Sequence, residues 1–374
     1  MFGDNLLPFN NLSITKNQQD SLNSDISKVL ASGHFLNSTE TKKFEASFGE
    51  YLGVKNVITC GNGTDALYLA LASLNLPIGS EIMMTANSGL YAASAAVRLG
   101  LIPLYIDIDQ ETCQINLSDL KNCVSKVSRV LIITHLFGIA NQMDIIMDIC
   151  SHSNVMVIED VAQAAGGEFR GKKLGSFGLL STFSFYPTKN LGAIGDGGAI
   201  VTNDEKLDAK IRMLKQYGWS KRYNSDLPGG INSRIDEIQA CVLNFRLKLL
   251  DNQNDLRQQL IKNYQGVLGK SKSKILGGDF KPRENVGHLA VIRANPINKV
   301  KQIFEESRIE TMIHYPIPDH FQISLKGKFK VHNNLINTEN FTNEILSIPC
   351  NLNLSETDIL HIQTALERVS IEFR

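Results

Sequence analysis

Seven short apolar runs decide how this chain folds: residues 56–60 (NVITC), 81–86 (EIMMTA), 101–109 (LIPLYIDID), 129–138 (RVLIITHLFG), 154–160 (NVMVIED), 181–186 (STFSFY) and 199–204 (AIVTND). Helical patterns separate them, and alternation of this kind predicts an α/β domain with a largely parallel sheet. The runs are rich in Ile, Val and Leu and barely alternate with polar residues, as expected of strands covered on both faces. Ligands of open sheets sit beyond the carboxyl ends of such strands, so those ends are where chemistry is to be sought.

Working outward, residues 235–268 carry apolar residues at helical spacing for many turns, which predicts a long helix, broken once, leaving the large domain. Beyond it we expect a strand over HLAVIR (288–293), a helix around VKQIFEESR (300–308) and an irregular stretch at 314–330, where Pro316 and Pro318 exclude regular helix. A closing helix is expected after Ser355. The reading is thus a large domain over residues 1–245, with a mixed, mostly parallel sheet flanked by helices, and a smaller α+β domain over 246–374.

Composition narrows the functional classes. Lysine plus arginine (38) cancels aspartate plus glutamate (38), so overall charge points to no nucleic acid and no anionic membrane, and any anionic ligand must be held locally. No apolar run is long enough to cross a bilayer and the first twenty residues lack a basic-then-apolar leader, so a cytoplasmic location is expected. Six scattered cysteines without a Cys-x-x-Cys pair disfavour a metal centre or a disulfide framework and read as reduced, buried residues.

Three pieces of the large domain carry candidate chemistry. Gly61-Asn62-Gly63-Thr64-Asp65 follows the first strand and opens a helical pattern, exposing backbone N–H groups at the positive end of a helix dipole, which suits a phosphate. The plainer reading is a tight turn with Thr64 or Asp65 as N-cap. Asp160 ends a strand, where a carboxylate could pair with a protonated ring nitrogen; the plainer reading is a cap for the next turn, with Glu159 facing the other way. Lys189 lies in Ser184-Phe185-Tyr186-Pro187-Thr188-Lys189-Asn190-Leu191-Gly192, on a stiff loop at the same crevice. Its amine could condense with an aldehyde only when neutral, so the site must lower its pKa.

Phosphate turn, strand-end carboxylate and loop lysine occur in that order, each at a strand end. Here the chain resembles a known family: GNGTDALYLAL, VIEDVAQAAGG, FSFYPTKNLGAIGDGGAIVTND, GGINSRIDEIQA and IHYPIPDHFQ look like the DegT/DnrJ/EryC1/StrS aminotransferases, from about Phe35 onward. The resemblance implies a fold-type I aminotransferase that uses pyridoxal 5'-phosphate and moves an amino group from glutamate to a keto sugar nucleotide. It implies that Lys189 holds the cofactor as a Schiff base, that Asp160 partners the pyridine nitrogen and that Gln163 packs on the ring near its hydroxyl. Gly63, Thr64 and Ser184 match the phosphate site, and Asn232 a residue that reaches the phosphate from the neighbouring subunit of a homodimer.

Arg234 is a candidate for the donor carboxylate, or else pairs with Asp236 or Glu237. Tyr217 and His314 are candidate contacts to the sugar nucleotide, while His135 reads equally well as a core histidine. IHYPIPDHFQ resembles the run of enzymes that aminate C3, which implies C3 of a dTDP-3-keto-6-deoxyhexose; a C4 or cyclitol aminotransferase, or a non-catalytic cofactor-binding regulator, are the alternatives. One position departs from the pattern: Gly89 stands where many members place an aromatic ring over the cofactor, so either Tyr91 replaces that ring or the cover is missing.

Overall fold

The computed structural model describes residues 6–124 and 128–374. All seven apolar runs contain strands: β1 (Asn56–Cys60), β2 (Glu81–Thr85), β3 (Ile102–Ile106), β4 (Ser128–Thr134), β5 (Met156–Asp160), β6 (Leu180–Ser184) and β7 (Gly198–Thr202). They form one sheet in the order β1-β7-β6-β5-β4-β2-β3. Neighbours from β6 to β3 run parallel, and β7 is antiparallel to both β1 and β6. The sheet is therefore mixed and mostly parallel.

Successive residues of these strands feed two separate cores, which is why the runs do not alternate. Val57, Met83, Leu131, Ile133, Val157 and Phe183 face one layer of helices; Ile58, Ile82, Met84, Ile132, Ile158 and Ile200 face the other. In the first layer Phe48 meets Phe183 edge-on at 5.0 Å and Phe44 meets Phe185 at 5.3 Å. Buried aromatics of this size dominate core energetics, and Phe185 opens the loop that carries Lys189.

The helical run after Ile235 is two helices, Glu237–Leu247 and Leu250–Leu268. The second packs against β8 (Lys274–Ile275), which pairs with β9 (Ala290–Arg293). The irregular stretch holds two short 3-10 turns and then β10 (Lys330–Val331), which returns to the large sheet as a parallel neighbour of β3. Strand β11 (Ile345–Ile348) completes the small sheet beside β9, and the closing helix Glu356–Glu372 is capped by Ser355. The N-terminal stretch also reaches this end of the molecule, since Leu7 bridges Ile309. The six cysteines are free and buried, and no described helix is long and apolar enough to cross a membrane.

A buried carboxylate fixes how the chain enters its first core helix. Glu237 accepts hydrogen bonds from the N–H groups of Ser38, Glu40 and Thr41 and from the Thr41 hydroxyl, at the positive end of helix Thr39–Leu52. Glu237→Ala leaves these donors unpaired, those of Thr41 buried and those of Ser38 and Glu40 half-buried, so we expect a loss of about 2–3 kcal/mol. Urea denaturation checks this, and an unchanged midpoint would refute it.

Candidate active site

Helix Gly63–Ser73 starts directly after β1, with Asn62 as its N-cap: the Asn62 side chain accepts the Asp65 N–H at 2.8 Å. The cap is thus Asn62 and neither Thr64 nor Asp65. The first-turn N–H groups of Gly63 and Thr64 are left without intrahelical acceptors. A side chain on Gly63 would come within 2.7 Å of Ser184 Cβ, so glycine lets the turn close on the end of β6. From the other side Asp65 Oδ2 accepts the Ser233 hydroxyl at 2.6 Å, and that same hydroxyl oxygen accepts the Gly61 N–H at 2.9 Å.

Asp160 and Glu159 part ways, as the strand pleat requires. Glu159 turns into the core and accepts the N–H groups of Gly175, Phe177 and Gly178 at 2.7–2.8 Å. His135 is a satisfied core histidine: Nδ1 accepts the Asn141 N–H at 3.2 Å, which leaves Nε2 to donate to Glu159 at 3.3 Å. Asp160 turns into a cavity. Its partners there are sparse, the Ala162 N–H at 3.1 Å and the Thr134 hydroxyl at 3.4 Å, and burial raises its pKa against the opposing pull of these bonds and of Lys189.

The loop bearing Lys189 is held along its length. Phe185 N–H bonds the Gly197 carbonyl at 2.8 Å, and Ala193 N–H returns to the Phe185 carbonyl at 2.7 Å. Arg246 Nη1 donates to the carbonyls of Gly192 and Ala193 at 2.6 and 3.2 Å. Asn190 is buried, with Nδ2 donating to Asn254 Oδ1 at 2.7 Å and to the Val286 carbonyl at 2.9 Å. Burial pushes the Lys189 ammonium from its ordinary 10.5 down to about 8, while the charge of Asp160 pulls it back up.

One cavity of about 1460 Å³ is lined by Gly63, Thr64, Asp160, Gln163, Ser184, Lys189 and His314, seven of the residues singled out in the sequence. Tyr217, Asn232 and Arg234 do not line it within the same chain. Asn232 lies on the surface, bridged to Gln216, and Tyr217 is 43% exposed. The alternative for Arg234, an ion pair with Asp236 or Glu237, does not form among the described residues; the Glu237 carboxylate is taken up by the helix start at Thr39.

The gap at Gly89 is filled from a distant segment that no local sequence pattern announces. The ring of Tyr315, from the small domain, stands 2.8–3.0 Å from where a Gly89 side chain would begin. Tyr91 does line the cavity, but it meets Tyr315 edge-on at 6.2 Å. Gln163 ties this wall to the large domain: Nε2 donates to the Tyr315 hydroxyl at 3.0 Å and Oε1 accepts the Phe137 N–H at 2.7 Å. No local pattern announces His288 either. The only hint was HLAVIR as a strand, whereas the contact joins residues 190 and 288 across 98 positions.

This donor set fits pyridoxal phosphate. Free N–H groups at a helix start and the adjoining Ser184 suit a phosphate, buried Asp160 suits a protonated ring nitrogen, and Lys189 has the lowered pKa an imine-forming amine needs. Fold and site together define a pyridoxal-phosphate-dependent aminotransferase of fold type I. The chain belongs to the DegT/DnrJ/EryC1/StrS aminotransferase family, whose model matches residues 16–367, an onset well before Phe35.

The chain is 33% identical over 368 residues, 97% of this chain and 99% of the relative, to a dTDP-3-amino-3,6-dideoxy-alpha-D-galactopyranose transaminase of Aneurinibacillus thermoaerophilus. It is also 33% identical over 326 residues, 87% of each, to a pleiotropic regulatory protein of Geobacillus stearothermophilus. The crystal structure of S. venezuelae DesV in complex with a ketimine intermediate superposes with a TM-score of 0.92 at 30% identity, covering 98% of both chains.

With its pKa about 8, Lys189 is about one-tenth neutral at pH 7. The rate at which cofactor-free protein captures pyridoxal phosphate should therefore climb with pH and level off above about pH 9. Asp160→Asn removes the charge that favours the ammonium, so the midpoint should move to lower pH. Stopped-flow absorbance measures both, and a midpoint that stays put in the variant would contradict the coupling.

Proposed function

We propose that this chain carries an amino group from glutamate to C3 of a dTDP-3-keto-6-deoxyhexose, working as a homodimer with shared sites. The observation that carries the reading is that Lys189, Asp160 and the Gly63–Thr64 turn converge on one cavity, which His314 and Tyr315 border from the small domain. C3 is supported by the stretch IHYPIPDHFQ and by the name of the Aneurinibacillus relative, a transaminase of a 3-amino sugar.

Pyridoxal phosphate supplies an aldehyde that links to amines and a conjugated ring that accepts electron density. Gly63, Thr64 and Ser184 would hold its phosphate, and Asp160 would keep the ring nitrogen protonated. Gln163, fixed between Phe137 and Tyr315, orients the ring edge. Lys189 Nζ would hold the cofactor's aldehyde carbon and, as a neutral amine in the same cavity, would move the proton off the donor α-carbon. For the sugar the same amine runs that transfer in reverse.

Asn232 lies on the surface of its own chain, which suits the role of reaching the partner's phosphate site; Tyr217 is assigned to the sugar nucleotide and Arg234 to the donor carboxylate. The Geobacillus relative's name favours a second reading, a regulator that binds the cofactor without turnover.

The deciding experiment incubates the loaded protein with glutamate and a panel of 3-keto and 4-keto nucleotide sugars, with mass detection of product. We expect a 3-amino sugar; amination only at C4 would move the position, and a visible band that glutamate leaves unbleached would favour the regulator. Lys189→Ala should lose that band and roughly 100-fold or more of turnover. Asn232→Ala should hold cofactor roughly tenfold less tightly in dialysis, and equal retention would remove the cross-subunit role.

A further inference from the structure

The Lys189 cavity contains a second cation that the protein leaves without a counter-charge. Arg257, on helix Leu250–Leu268, lines that cavity. A guanidinium offers five N–H donors. Arg257 uses Nη1 on the Cys350 carbonyl at 3.0 Å, and its Nε is buried with no acceptor. Among the described residues no carboxylate pairs with it, whereas Arg212, Arg283 and Arg293 each meet an acid within 3.2 Å. The other arginine on the cavity, Arg246, has its Nη1 on the two carbonyls that close the lysine loop.

The neighbouring histidine does not supply the missing charge. Asn190 Nδ2 donates to two acceptors, so its Oδ1 must accept, and His288 Nδ1 is then the donor of their 3.0 Å bond. His288 is buried next to both cations, and burial followed by their charges holds it well below its ordinary pKa, hence neutral. Arg257 is closely packed at its base, where a side chain on Gly287 would stand 2.8 Å from Arg257 Cβ, and is anchored at its tip by the Cys350 carbonyl. A desolvated, fixed fork of donors without an internal acid is complementary to a carboxylate, the group such forks bind in bidentate fashion.

We infer that Arg257 is a carboxylate-recognition residue of this cavity and that it takes up a carboxylate of the amino donor. The inference deepens the transaminase reading and rests on it for the identity of the donor. It also gives the donor carboxylate a partner within the same chain as Lys189, on a different element from Arg234.

The test uses the pyridoxal-phosphate-loaded protein and three probes, one of them a uronic-acid nucleotide sugar titrated by calorimetry. Glutarate, a dicarboxylate without an amine, reports binding alone by calorimetry; glutamate bleaching of the visible band, without sugar, reports the donor half-reaction. In Arg257→Gln we expect the glutarate dissociation constant and the half-bleaching glutamate concentration each to rise roughly 30-fold or more. Arg257→Lys, which keeps the charge, should recover part of both. Normal cofactor absorbance and melting temperature in the variants separate recognition from collapse of the fold.

Unchanged glutarate binding in Arg257→Gln overturns the inference, as does a wild-type protein that does not bind glutarate. A variant that handles glutamate normally but binds only a uronic-acid nucleotide sugar less tightly keeps the carboxylate site and overturns its assignment to the donor. Failure of glutamate to bleach the wild-type band, with glutarate binding dependent on Arg257, defeats the transaminase reading and leaves the carboxylate site standing.

Discussion

An ammonium and a carboxylate that share one cavity beyond the ends of β5 and β6 set the terms for the rest of the site. Burial alone would drive both Lys189 and Asp160 toward their neutral forms, and each opposes that drift in the other. The balance leaves the lysine near the point where a proton can leave it and the carboxylate able to meet a cationic ring nitrogen. Such a balance holds only if both groups are kept in place, which explains how much of the surrounding structure is spent on anchoring. The Lys189 loop is tied by Arg246, Asn190 and its own flanks, and Asp160 is fixed by the strand that sends Glu159 into the core.

The glycines of the site act in the same direction by allowing close approach. Gly63 lets the phosphate turn press on Ser184, and Gly192 folds the loop so tightly that a side chain would sit 2.6 Å from the Pro187 carbonyl. Neither is a matter of flexibility. Each removes a side chain so that two backbone segments can position donors toward the same space.

The sheet was legible because strands covered on both faces leave continuous apolar runs, and its ligand end followed from parallel topology. Lys189, Asp160 and Gly63 were legible for a related reason: each sits within a few residues of a strand whose end it decorates. What could not be read locally was whatever joins distant segments. Asn62 took the cap that the plainer reading gave to Thr64 or Asp65, because its side chain reaches the Asp65 N–H. The ring in front of Gly89 comes from position 315, and the partner of Asn190 from position 288. No periodicity announces such pairs, since their proximity is a product of how the small domain docks.

That docking has a consequence for how ligands come and go. Just beyond the Tyr315 wall, the Asp319 N–H bonds the Ala86 carbonyl and its carboxylate caps Leu90, while Lys330–Val331 adds to the edge of the large sheet next to β3. The segment bearing Tyr315 is thus stitched to the large domain downstream as well as through Gln163. Swinging the two domains apart would have to break several backbone hydrogen bonds at once, so ligands should come and go with the Tyr315 wall still seated on the large domain.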